Sequence, residues 1–377
     1  STSTHRATAI RKSTMNSFRP GELWPDNNGV HINAHGGGIL HHEGVYYWFG
    51  EHKTEGEAGN HANVGVHVYS SVDLLRWHDE GIALSVSEDP ASPIMKGCIL
   101  ERPKVIRHPR TGQFVMWFHL EPPGIGYRGA LAGIAVATSV TGPYRFIKAF
   151  RPNAGHWPLN VGNGLQIPLS EKEQEYLASL NLSGGLTPGY PKDQIFRRDF
   201  AGGQMSRDQT LFVDPQSGSA FHFHASEDNG TLHISRLNET DWLDSSGQYT
   251  RCMPGSFHEA PAVFFTAGRY WLFSSDCTGW EPNAARLSVA DSPMGPWKEV
   301  GNPCRGTAIE QSTTFESQST FILPVHGKSN AFIFMADRLR PSNAIDGRYV
   351  WLPIQFDVDG TPFFEWKDEW DLSVFDR

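Results

Sequence analysis

The sequence predicts an all-β fold, a five-bladed β-propeller with a central funnel-shaped active site. Three observations predict it: an internal repeat present in five copies, a composition rich in aromatic residues, and a polar residue at the same place in every copy. The copies read AHGGGILHHEGVYYWFG from Ala34, ERPKVIRHPRTGQFVMWFH from Glu101 and RDQTLFVDPQSGSAFHFHAS from Arg207, then EAPAVFFTAGRYWLFSS from Glu259 and SQSTFILPVHGKSNAFIFMAD from Ser317. In each, a short apolar strand passes through a turn bearing Gly, Asp or Asn into a second, aromatic strand, which is the signature of a hairpin. One such unit cannot bury both its faces, so five copies imply five blades in a ring.

Other blade parts recur. SSVDLLRW at 70–77 is followed by a further strand-like stretch, and TGPYRFI at 141–147 matches MGPWKEV at 294–300 as outer-strand turns. The stretch DGRYVWLPIQFDVDG at 346–360 is expected to add strands to the last blade, and closing the ring removes open strand edges. The segment 152–198 breaks the rhythm. It is an insertion at the rim, and its SEKEQEYLASL (170–180) suits a short surface helix. It serves either as a wall over the site or as decoration. Residues 1–20, rich in Ser, Thr and Arg, read as a flexible N-terminal segment, and 21–377 as one catalytic domain.

Composition narrows the function. Of the 377 residues, 39% are hydrophobic, 12% aromatic and 19% charged, which excludes a disordered or coiled-coil chain. A net charge of −9 argues against nucleic acid or an anionic membrane as partner, and no apolar run approaches the roughly 20 residues of a membrane span. The four cysteines (Cys98, Cys252, Cys277, Cys304) lack metal-finger spacing. They leave one or two disulfides open if the protein is exported. The histidine pairs at 41–42 and in FHFH at 221–224 fit no HExxH-like ligand frame, so no metal and no cofactor are expected.

The recurrent polar residues are His35, Glu101, Asp208, Glu259 and Gln318. Each stands at the start of what should be an innermost strand, so all five should converge on the funnel. Converging carboxylates suit glycosidic cleavage: one must hold a proton for the leaving oxygen, and a neighbouring carboxylate raises its pKa. Glu259 and Glu101 can serve as acid and pKa partner. An inverting enzyme also needs a base to handle water, and no carboxylate is evident for that role.

These residues resemble glycoside hydrolase family 43, five-bladed propellers with inverting chemistry. EAP at 259–261 resembles the family's acid motif and ERP at 101–103 its modulator position, with Glu in place of Asp, while the usual base position falls on His35. That departure resembles the exo-β-1,3-galactanase branch (subfamily 24) and its near relatives, through AHGGG (34–38), ERPKV (101–105), SRDQTLFVD (206–214), EAP, CTGW (277–280), SQS (317–319) and RYVWLP (348–353). The resemblance covers about residues 25–376. It implies Gln318 as the residue that handles the catalytic water, either as water-positioner or as base through an imidic-acid form. It also implies Glu51 as an acceptor for sugar hydroxyls. His35, Tyr127, Asp208, Glu227 and Thr278 are further candidate substrate contacts, and Trp280 is a candidate stacking platform.

The expected function follows: an inverting, exo-acting glycoside hydrolase releasing terminal galactose from β-1,3-galactan of arabinogalactan type. An α-L-arabinofuranosidase or β-galactofuranosidase of the same family is the alternative within this chemistry, and a non-catalytic carbohydrate-binding propeller the alternative outside it. The protein is expected to be secreted (extracellular or periplasmic), to act as a monomer, and to have an oligo- or polysaccharide as its partner.

Overall fold

The computed structural model describes residues 15–61, 63–182 and 184–376. The first sheet holds β1 (His35–His42), β2 (Val45–Lys53), β3 (Asn63–Ser71) and β4 (His78–Ser85), and the second β5 (Ile99–Arg107), β6 (Phe114–Glu121), β7 (Leu131–Ala137) and β8 (Arg145–Phe150). The third holds β9 (Gln209–Val213), β10 (Ala220–Ser226), β11 (Thr231–Leu237) and β12 (Ser245–Cys252), and the fourth β13 (Glu259–Thr266), β14 (Arg269–Ser275), β15 (Ala285–Ala290) and β16 (Lys298–Gly301). After β17 (Cys304–Arg305) come β18 (Gln318–Pro324), β19 (Phe332–Arg338) and β20 (Arg348–Pro353), which form the fifth sheet. The sixth joins β17 to β21 (Gln355–Phe356) through β22 (Pro362–Glu365).

The expectation of five blades is therefore corrected: the chain is an all-β propeller with six sheets among the described residues. The reason is physical. The sixth sheet is built from strands of two and four residues, with a parallel pair between β17 and β22. Strands that short carry no alternating hairpin pattern for a repeat search to find. Part of 346–360, expected in the fifth sheet, accordingly lies in the sixth.

The inner strands β1, β5, β9, β13 and β18 pack in turn, and β18 returns to β1. Apolar clusters fill the wedges between sheets. Trp24, Trp48, Trp77 and Trp351 form an aromatic core between the first and fifth sheets, with ring centroids 4.8–6.2 Å apart. Contacts of this kind add about 0.5–1.5 kcal/mol each beyond area burial. Phe334 stacks on Phe364 at 4.0 Å, seating the sixth sheet against the fifth.

Of the N-terminal segment expected to be flexible, residues 1–14 lie outside the described residues, while 15–20 are held in place. Phe18 is 2% exposed, exchanges two backbone hydrogen bonds with Trp370 and stacks on its ring at 4.3 Å. Phe18→Ala is expected to lower stability by about 3 kcal/mol in urea titration, because it leaves a cavity against Trp24, Trp351 and Trp370.

The insertion holds α1 (Glu171–Ser179), the expected helix, and α2 (Ile195–Arg198). Ser170 and Glu173 close a reciprocal capping box at the start of α1. Arg197 grips Glu173 and ties the two helices together. All four cysteines are free, so the disulfides considered from the sequence do not form. No helix among the described residues is long and apolar enough to cross a membrane.

Candidate active site

The hairpins aim the polar ring inward by a shared irregularity. The register of β1–β2, β5–β6, β13–β14 and β18–β19 shifts just after His35, Glu101, Glu259 and Ser319, respectively. Gly36, Arg102 and Ala260, each following a ring residue, have φ between 52° and 61°. Such a bulge bends its strand and re-aims a side chain. Holding Arg102 and Ala260 in the left-handed region costs about 1–3 kcal/mol apiece, which the surrounding packing must offset.

Around the axis lies a cavity of about 800 Å³, lined by His35, Glu51, Glu101, Tyr127, Asp208, Glu259, Thr278, Trp280 and Gln318. Nine of the ten expected site residues thus meet in one cavity. Trp280 is 46% exposed, so it is a rim aromatic and not a core one. Glu227 is the correction. It is fully buried, with its carboxylate bonded to Arg251 at 2.8 Å and to His233 at 2.6 Å. Glu227, Asp228 and Asn229 all have positive φ, and this tight turn brings Asn229 to the cavity in its place.

The centre of the site is Arg102, which sequence reasoning missed. Its Nε lies 3.2 Å from Asp208, and its terminal nitrogens donate to Gln318 Oε1 at 2.8 Å and the Ser319 carbonyl at 2.9 Å. Its backbone N–H donates to Glu51 Oε2 at 3.1 Å, and the other oxygen of Glu51 pairs with buried Lys53 at 2.8 Å. Gln318 Nε2 donates to Ser275 Oγ at 2.9 Å, so both ends of its amide are fixed. Asp337 also lines the cavity, opposite Gln318 in the β18–β19 pairing, and accepts from the Gly36 N–H at 2.6 Å. A signal for it existed: its place in the last repeat matches that of Glu51, His119 and Ser275, the cross-strand partners of ring residues.

The carboxyls are driven apart in proton affinity. Burial opposes ionisation of Glu101, but the imidazole of His119, 3.4 Å away, and a hydrogen bond from Tyr127 outweigh it and bring its pKa to about 2. Burial likewise works against the His119 cation, yet Glu101 and Glu121 on either side raise its pKa to about 9. Glu259 goes the other way: burial first, and then the charge of Asp208, raise it to about 8. Asp208 is drawn close because it accepts from the Ala260 N–H at 3.1 Å. Burial and the nearby Glu51 bring Asp337 to about 7.

A protonated Glu259 in one cavity with an ionised Glu101 is the arrangement that acid-assisted glycosidic cleavage needs. Glu101, His119 and Asp208 each bring a ligand atom within 4.8 Å of the others, and among the described residues they are the group that could hold a metal ion. Arg102 already pairs with Asp208 and His119 with Glu101, which also accepts a hydrogen bond from Tyr127.

The fixed amide makes Gln318 testable. Gln318→Glu keeps an acceptor for Arg102 but loses the donor, and adds charge beside Asp337. It is expected to lower kcat about a hundredfold with little change in KM, and steady-state kinetics check this. An unchanged kcat would remove the amide from the mechanism.

No protein-family model matches the chain, and no curated protein matches it. Solved structures do. A β-1,3-galactosidase of glycoside hydrolase family 43, solved with galactodeoxynojirimycin, is 48% identical over 94% of this chain and 100% of its own, with a TM-score of 0.87. An exo-β-1,3-galactanase from Phanerochaete chrysosporium, solved with β-1,3-galactotriose, is 29% identical over 95% of this chain and 69% of its own, with a TM-score of 0.74. One from Clostridium thermocellum is 30% identical over 94% and 66%, with a TM-score of 0.73. On this likeness, together with a cavity that sets a protonated Glu259 opposite an ionised Glu101, the chain belongs to glycoside hydrolase family 43.

Proposed function

We propose that this galactose-releasing glycoside hydrolase acts from the chain end on β-1,3-galactan of arabinogalactan type, with inversion. The observation that carries the reading is the split in proton affinity across one cavity, Glu259 holding its proton near neutral pH while Glu101 stays ionised. The names of the relatives supply the sugar. Glu259 protonates the departing oxygen. Burial, with Asp208 and Glu101 nearby, holds that proton on Glu259, and the two neighbouring carboxyls accept hydroxyls of the bound sugar. Gln318, with its amide clamped by Arg102 and Ser275, orients the attacking water. A guanidinium on Oε1 disfavours protonation of that oxygen, which favours the water-positioning role over an imidic acid. Trp280 offers an exposed indole face for a sugar ring. Action outside the cytoplasm belongs to the same proposal, since a polysaccharide of that size is met there.

The test is product analysis on β-1,3-galactan beside aryl β-galactoside, aryl α-L-arabinofuranoside and aryl β-galactofuranoside, with the anomer followed by NMR. Galactose released from galactan as the α-anomer is expected. Cleavage confined to a furanoside would overturn the substrate while leaving the acid in place.

A further inference from the structure

Beside the acid sits a thiol that the mechanism above does not use. Cys277 Sγ lies 3.0 Å from Glu259 Oε1 and 3.0 Å from the carbonyl oxygen of Gly184, and it lines the cavity. Gly184 belongs to the rim insertion and is pinned to the third sheet. Its N–H reaches Asp228 at 3.2 Å, and its carbonyl accepts from Asn229 at 2.8 Å. A thiol has one hydrogen and here faces two acceptors at equal distance.

We infer that Cys277 is a positioning residue for the acid: its S–H points to the Gly184 carbonyl while Glu259 is protonated and swings to the Glu259 carboxylate as the proton leaves. The inference rests on the acid role proposed above for Glu259. In the resting enzyme the carboxyl needs no donor there. During cleavage the Glu259 proton passes to the departing sugar oxygen, the electrons of its O–H bond stay on the carboxylate, and Cys277 gives up no proton. The hydrogen bond therefore strengthens as charge develops, and only such interactions accelerate the step. Burial, with Glu259 adjacent, raises the thiol pKa so far that the donor hydrogen is retained throughout. The insertion thus has a role in the chemistry, because Gly184 gives the thiol its resting acceptor.

The direct test is the S–H stretching band of Cys277 by Raman difference spectroscopy, wild type minus Cys277→Ala, across the pH range in which Glu259 ionises. The band is expected to move to lower frequency as pH rises through about 8 and to stay fixed in Glu259→Gln. A band that ignores pH in the wild type, or still moves in Glu259→Gln, overturns the inference. Kinetics supply an independent reading. Cys277→Ala should lower kcat on β-1,3-galactobiose about tenfold, the low end for a hydrogen bond to a charged group. It should leave KM and the rate on a 2,4-dinitrophenyl galactoside, whose leaving group needs no acid, almost unchanged, and Cys277→Ser should restore most of the loss. Equal losses on both substrates would mean a structural role and overturn the inference. If the wild type releases no galactose from galactobiose, the substrate reading fails, and the Raman band still decides the thiol.

Discussion

Glu259→Gln is expected to cut kcat on galactan by about a thousandfold, the middle of the range for a positioned general acid, with sugar affinity retained. The amide keeps the size of the side chain and can hydrogen-bond, but it has no proton to donate. Two further signs distinguish this from a merely damaged site. Wild-type activity should fall as pH rises through about 8, where the acid loses its proton, and the residual activity of the variant should lack that limb. Stability should respond too. The folded pKa of Glu259 lies above its ordinary value, so its contribution to stability is fully present below about pH 4.5 and is lost as pH rises through about 8. Glutamine has no proton to lose. The variant should therefore gain in Tm over the wild type between those limits, and a flat difference would remove the raised pKa.

Arg102 carries the second large effect. Arg102→Met should abolish measurable turnover and lower stability by about 3 kcal/mol, the low end for breaking a buried pair, because it leaves a partly exposed Asp208 without its counter-charge. It also frees Gln318 Oε1 and the Ser319 carbonyl at the same time. Arg102→Lys should recover part of the stability and little of the activity. An ammonium is a point charge and cannot span Asp208, Gln318 and Ser319 as the planar fork does. Urea titration and kcat/KM measured on the same preparations separate the two losses. A lysine variant at near wild-type turnover would show that the charge alone suffices and that the orientation of Gln318 does not matter.

Much of this was legible in the sequence because hairpins repeat. The alternation of apolar residues marked the inner strands, and the one polar residue breaking each apolar run marked the axis. Glu101, Asp208, Glu259 and Gln318 were found that way. Arg102 was missed because an arginine between Glu101 and Pro103 should face away from the axis in a regular strand. Only the positive φ at that position turns it inward, and no residue type there announces it. Glu227 failed for the mirror reason, since three successive left-handed residues carry it into the third sheet. The sixth sheet escaped because Cys304–Arg305 pairs with Phe364–Glu365 about 60 residues on, and two-residue strands have no period to detect. Lys53 and His119 read as ordinary strand residues. Their importance comes from which carboxylate each faces across the pleat.

The repeated bulge has a consequence for how such a protein can change. Where the backbone itself delivers the ring side chain to the axis, the framework does not depend on which side chain that is. His35, Glu101 and Glu259 occupy equivalent sockets, each on a strand that bends just after it. A carboxylate can be traded for an imidazole without redrawing the sheet, so reaction chemistry and scaffold are free to drift separately. The residue one step further on is not so free. It carries the strain, and at Arg102 it also ties the second blade to the third and the fifth, so the chemistry can be re-dealt only around a linchpin that stays put.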